Sequence, residues 1–203
     1  MPVLLGLALL VGCDRSIEFR PLDYEAFEGR NVLVLTATQL EPLPAEIVEQ
    51  VQARVEEVLL ASPYLGAVLT REGFRERNRD DRITQFKYEL LSDTVSVLGI
   101  ADRELSASLA ESQGADLAGV VQVLHLPCPN CQEKKPRIAI TVQLIDLRTS
   151  ELRWRLHLSR IVDNDVDAET LAEDAAELAE ELVATLDHLI KPKWHRLRFE
   201  HLR

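Results

Sequence analysis

Cysteine is scarce in this chain of 203 residues: Cys13, Cys128 and Cys131 are the only three. That excludes a small scaffold stapled by several disulfides. Positive charge is also short, with 23 Lys and Arg against 34 Asp and Glu, a formal net charge of −11. Such a body lacks the basic face that nucleic-acid binding requires, so no nucleic-acid partner is expected. No hydrophobic run is long. Val3 to Val11 comes first, and it is about half of the roughly 20 residues a membrane-spanning helix needs. The common catalytic signatures are missing too: there is no G-x-S-x-G, no H-E-x-x-H, no phosphate loop and no G-x-G-x-x-G. The five histidines (125, 157, 188, 195 and 201) are scattered. The expectation is a protein that is not an enzyme and needs no cofactor. What is present is 46% apolar and 28% charged residues, the balance of a globular domain with a real core.

The apolar run stops at Cys13, and charge begins at Asp14. A run this short at the extreme N-terminus suits the hydrophobic region of a signal peptide. Its end, Leu10-Val11-Gly12-Cys13, resembles the lipobox of bacterial lipoproteins. In that family the cysteine thiol receives a diacylglyceryl group and the peptide before it is removed. The residue types suit the chemistry, because Gly12 opens the scissile bond to a peptidase and a thiol is a strong nucleophile for alkylation. The resemblance implies a signal peptide over residues 1–12, a lipidated Cys13 and the bilayer as a partner. Each buried acyl methylene adds ~0.8 kcal/mol to membrane binding, so two or three chains anchor firmly. Asp14 resembles the inner-membrane retention signal of enteric-type bacteria, which leaves inner and outer membrane both open.

Residues 13–30 show no steady period and read as a tether. Asn31 to Thr38, "NVLVLTAT", is a β-rich apolar run and predicts a buried strand. Pro44 suits a first helical turn, and Ile47, Val51, Val55 and Val58 then recur at helical spacing. Leu65 to Arg71 reads as a second strand, and the mixed-charge run after it as a solvated, salt-bridged loop in preference to an anion- or partner-binding one. Ile83, Phe86, Leu90 and Val97 mark the inward face of the next helix. Asp102 caps another, which stops near Gly114. Three strand-like runs follow, joined by short linkers that imply antiparallel neighbours. Leu152, Trp154, Leu156 and Leu158 alternate with polar residues in the third. A long acidic helix closes residues 31–190, with Leu171, Ala175, Leu178 and Leu182 on one face. The expected fold is one α/β (α+β) domain: a mixed sheet of about five strands, with an antiparallel C-terminal meander and helices packed on it.

Gly114-Ala115-Asp116 leads from a helix into a strand, and a later strand ends at Asp146 before a turn with Thr149 and Glu151 and a strand carrying Trp154. This pattern resembles periplasmic lipoproteins of the CsgG, LpoB and TolB-amino-terminal type, with Ser150 where Gly is usual. The motifs are structural. What the resemblance implies is an envelope scaffold or adaptor with a protein partner, not a specific task.

Three constellations bear on chemistry. Cys128 and Cys131 form a CPNC loop between two strands. In an exported protein the pair reads as a local disulfide. A redox pair would sit at a helix N-terminus, a metal site would recruit His125 with Glu133 as a weak fourth ligand, and free thiols are the remaining alternative. Asp163, Asp165 and Asp167 mimic a calcium loop, but Ala168 stands where Gly is needed and Asp174 where Glu is normal, so a capped helix start is preferred. In the tail, residues 191–203, cations interleave with Trp194, Leu197, Phe199 and Leu202, and Trp194, Arg196, Arg198 and Phe199 are candidates for docking a partner or anionic lipid head groups, with docking on the protein's own acidic surface an equal alternative. The expectation from these residues is a lipid-anchored, periplasm-facing adaptor that binds another envelope protein. The alternative is a ligand- or metal-binding module built on His125, Cys128 and Cys131.

Overall fold

A computed structural model describes residues 15–19, 28–37, 45–63, 65–126, 137–161 and 168–190. One mixed sheet organises them. Its strands are β1 (Arg15–Phe19), β2 (Val32–Leu35), β3 (Val68–Leu69), β4 (Leu117–Leu126), β5 (Arg137–Asp146) and β6 (Leu152–Ile161), in the spatial order β1-β6-β5-β4-β2-β3. β2 runs parallel to β3 and β4, while β4, β5 and β6 form the expected antiparallel meander. The mixed α/β architecture is therefore as the sequence predicts.

The four residues of β2 are all buried, because helices cover both faces of the sheet there. Val32 and Val34 join a core with α1 (Ala45–Ala61) and α5 (Ala168–Ile190). Leu33 and Leu35 point the other way, toward α2 (Arg71–Arg77), α3 (Arg82–Asp93) and α4 (Arg103–Gln113). A strand buried on both faces reads as a continuous apolar run rather than an alternation. The α1 face is as expected, with Ile47, Val51 and Val55 buried and Val58 at its margin.

Side-chain chemistry explains the entries into β2 and β4. Gly114 ends α4 with φ +66°, a left-handed conformation that costs glycine little. The Asp116 carboxylate accepts from the Asn31 amide at 3.1 Å, and Asn31 in turn donates to the Gly114 carbonyl at 2.8 Å and accepts from the Ala67 amide at 2.8 Å. One Asn–Asp pair thus joins the starts of β2 and β4 to the approach to β3. Gly66 is required at that approach, since a Cβ there would lie 2.4 Å from Asn31 Oδ1. At the other motif, Asp146 Oδ1 accepts from the amides of Arg148 at 2.9 Å and Thr149 at 3.0 Å, closing the turn between β5 and β6.

The structure departs from the sequence reading in four places. Arg15–Phe19, inside the stretch expected as a tether, is an edge strand paired with β6 and brings the described strands of the sheet to six. Five residues are too few to show a period, and backbone pairing to the open edge of β6 is what recruits them. The second strand shrinks to Val68–Leu69, because Thr70 caps α2 by accepting from the Gly73 amide at 3.1 Å.

Arg71–Arg77 is then a helix, not a solvated loop. Arg71 is buried beneath it and donates to Glu56 at 2.7 Å, to Glu49 at 2.9 Å and to Gln52, locking α2 to α1. Burial opposes the Arg71 charge, but its hydrogen bonds to the carboxylates of Glu49 and Glu56 outweigh it and hold the pKa above its ordinary value. Removing one partner of such a buried pair costs about 3–5 kcal/mol, because it strands the other charge.

The fourth departure is α3. The stripe expected to face inward, Ile83, Phe86, Leu90 and Val97, faces out. Thr84, Tyr88, Leu91 and Val95 are buried instead. Tyr88 decides the competition. Its ring stacks on Phe74 with centroids 4.1 Å apart, and its hydroxyl donates to the Val34 carbonyl at 2.8 Å. A buried aromatic ring removes a large apolar area from water, and its hydroxyl costs little there once hydrogen-bonded.

Candidate functional site

Cys13, Cys128, Cys131 and the tail residues Trp194, Arg196, Arg198 and Phe199 lie outside the described residues, as do Asp163, Asp165 and Asp167. His125 stands near the end of β4, opposite Ile138. No group of three or more metal-ligating side chains occurs among the described residues. Asp174, the last residue of the calcium-like spacing, is 3.4 Å from Arg160, which also binds Glu177 at 2.7 Å. Those pairs fasten β6 to α5. His157 is likewise occupied, with Nδ1 2.8 Å from Thr141 Oγ1 on the sheet.

What the fold does assemble lies on the α2–α4 side. Ile83, Phe86 and Leu90 on α3 are followed by a π-helical turn, Thr94–Leu98, and by Ile100. Ile83 is 71% exposed, Phe86 63% and Ile100 62%, and Leu90, Val97 and Leu98 are exposed beside them. The only other exposed large apolar residue among those described is Leu60, on α1. Six such side chains in one short segment form a ridge. Isolated surface apolars are ordinary, whereas a contiguous set marks an interaction surface.

Hydrogen bonds fasten the segment that carries the ridge to the sheet and to α4. Beneath it Tyr88 is tied to β2, and on one flank Lys87 donates to Ser108 of α4 at 2.7 Å. The Ser96 carbonyl, within the π turn, accepts from Gln122 of β4 at 2.7 Å. This turn also breaks the 3.6-residue count that the sequence reading used across Val97.

On the other flank of α3 is a cavity of about 450 Å³, a size that suits small ligands. Thr36, just beyond β2, contributes to its wall, with Arg75 from α2 and Gln85, Glu89, Ser92 and Asp93 from α3. Thr36 lies far in sequence from α2 and α3, so no single local motif announces the wall. A hint was available in the i, i+4 pair Glu89 and Asp93 on a helix with two apolar stripes.

No known protein-family profile matches the chain, and no curated relative matches it. Solved structures do. The PelC dodecamer from Paraburkholderia phytofirmans is similar at 13% identity over 88% of this chain and 99% of that one, with a TM-score of 0.49. Lipoprotein GNA1162 from Neisseria meningitidis is similar at 12% identity over 77% and 99% of the two chains, TM-score 0.44. The LpoB C-terminal domain from Salmonella enterica follows at 16% identity over 68% and 85%, TM-score 0.34. No helix among the described residues is long and apolar enough to cross a membrane.

Proposed function

We propose that this chain is a lipid-anchored, non-enzymatic adaptor of the bacterial cell envelope that binds another envelope protein through the α3 ridge. The observation that carries the reading is the exposed apolar ridge from Ile83 to Ile100, on a side where the domain's own core is already complete. A ridge of Ile, Phe, Leu and Val fits an apolar groove on a partner. Charge narrows the choice. A chain of net −11 repels a second copy of itself and anionic lipid, and favours a partner whose groove is rimmed by Lys and Arg. The lipobox-like ending at Cys13 supports the anchor, and the missing catalytic motifs support an adaptor over an enzyme.

Two experiments test the two halves. Photo-crosslinking residues placed at Phe86 and Leu98, with Gln50 on α1 as control, are activated in intact cells. Adducts to another envelope protein from the ridge positions alone are expected. Equal adducts at Gln50, or adducts solely to a second copy, overturn the docking reading. For the anchor, Cys13→Ser is expected to abolish incorporation of labelled fatty acid, and label that persists refutes it.

A further inference from the structure

The cavity beside α3 occupies a particular place in the topology. From β2 the chain crosses through α1 on one face of the sheet to reach β3. It then returns through α2, α3 and α4 on the other face to reach β4, on the opposite side of β2. The parallel strand order therefore reverses at β2. In open α/β sheets the crevice outside the carboxyl ends at such a reversal is where ligands bind, because the two connections splay apart there. Thr36 is the first residue past the carboxyl end of β2, and it lines the cavity.

The wall chemistry is two-signed. α2 contributes the guanidinium of Arg75, and α3 contributes the carboxylates of Glu89 and Asp93. Among the described residues Arg75 and Glu89 have no hydrogen-bond partner. Between the charges lie neutral groups with spare capacity. Tyr88 donates its proton to Val34, so Thr36 Oγ1, 3.2 Å away, must donate to Tyr88 and keeps its own lone pairs free. The amide nitrogen of Gln85 is used on the Asn78 and Arg79 carbonyls, which leaves its oxygen to accept. Ser92 is 3% exposed, and its hydroxyl has no partner at all. A buried hydroxyl without a partner is an unmet demand that a rotation about χ1 can turn toward the cavity.

A simple anion would be repelled by two carboxylates, and a simple cation by Arg75. A molecule carrying both charges at opposite ends meets every group. A cavity of this volume is about 9 Å across, which is two extended residues at ~3.5 Å each plus a hydrogen bond. We propose that this cavity binds a short peptide of two or three residues with free termini. The C-terminal carboxylate sits on Arg75, the N-terminal ammonium sits at Glu89 and Asp93, and the peptide amides meet Thr36, Gln85 and Ser92. The inference is independent of the adaptor reading, since it uses the opposite flank of α3 from Lys87 and none of the ridge residues.

The test uses the full chain and four probes: dialanine, trialanine, N-acetyl-dialanine and dialanine amide. Binding is followed by equilibrium dialysis. Saturable binding of dialanine or trialanine is expected, weakened at least tenfold in both blocked forms. Arg75→Gln should weaken the free peptide tenfold and leave the amide unchanged, because the amide has no carboxylate to lose. Glu89→Gln should do the same against the N-acetyl form. Both side chains are exposed, so these variants keep the fold, which circular dichroism verifies. Absence of saturable binding at 10 mM, or blocked peptides binding as tightly as free ones, overturns the proposal.

Discussion

Ser150 adopts φ +61°, the one positive value among the described residues that is not a glycine. Its amide donates to the Asp146 carbonyl at 2.8 Å, so the turn dictates the angle and not the side chain. The left-handed conformation costs an ordinary residue ~1–2 kcal/mol, and its hydroxyl is buried without a partner. Glycine removes both costs but gives the unfolded chain ~0.4–1 kcal/mol of extra entropy. Relief wins, and Ser150→Gly is expected to stabilise the domain by about 0.5–1 kcal/mol. The midpoint of urea unfolding should rise with its slope unchanged. A lower midpoint would mean the serine contributes something the geometry does not show. At this scale the sequence was readable: Asp102 and Gly114 are caps defined by local chemistry and sit where their neighbours imply, and Asp146 closes the turn where the family resemblance puts it.

Elements were readable only where one stripe had no rival. α1 carries a single apolar face and was read correctly. α3 carries two faces at helical spacing, and hydrophobicity favours the wrong one, since Ile83, Phe86 and Leu90 outrank Thr84 and Tyr88. The contacts that decide it, Tyr88 on Phe74 and on Val34, are long-range and invisible in a window of residues. The helix at Arg71 is hidden for the same reason: the residue reads as the end of a strand beside a run of mixed charge until Glu49 and Glu56 are brought over it by α1. The assignment of α3 faces has a direct check. Leu91→Ala opens a cavity in the core and should cost about 2–5 kcal/mol. Phe86→Ser removes an exposed ring and should change stability by no more than about 0.5 kcal/mol. Paired chemical unfolding curves of the two variants distinguish the faces, and the reverse order of costs would return Phe86 to the core.

For the whole molecule, two electrostatic effects oppose each other as pH falls. At neutral pH the net charge of −11 destabilises the compact state by self-repulsion, and mild acid relieves it. Individual carboxylates act the other way. The hydrogen bond from Arg71 holds the Glu49 carboxyl below its ordinary value, against the burial that raises it. Burial also pushes Asp146 up, but the amides of Thr149 and Arg148 and the Arg153 guanidinium prevail and its pKa is lowered. A group whose folded pKa is depressed contributes stability in full above its unfolded pKa, near 4 for a carboxylate, and loses it as pH falls through the folded value. Repulsion therefore relaxes first, and the paired carboxylates fail later. Thermal stability should rise from pH 7.5 to a maximum at about pH 5–6, then fall steeply below about pH 4. High salt screens the diffuse repulsion far more than the buried pairs, so melts in 0.5 M NaCl should flatten the rise and leave the acid limb in place. Asp146→Asn should shrink the acid limb, because the amide cannot be protonated there. An acid limb unaltered by that substitution, or a rise that persists in salt, would show that other groups govern the profile.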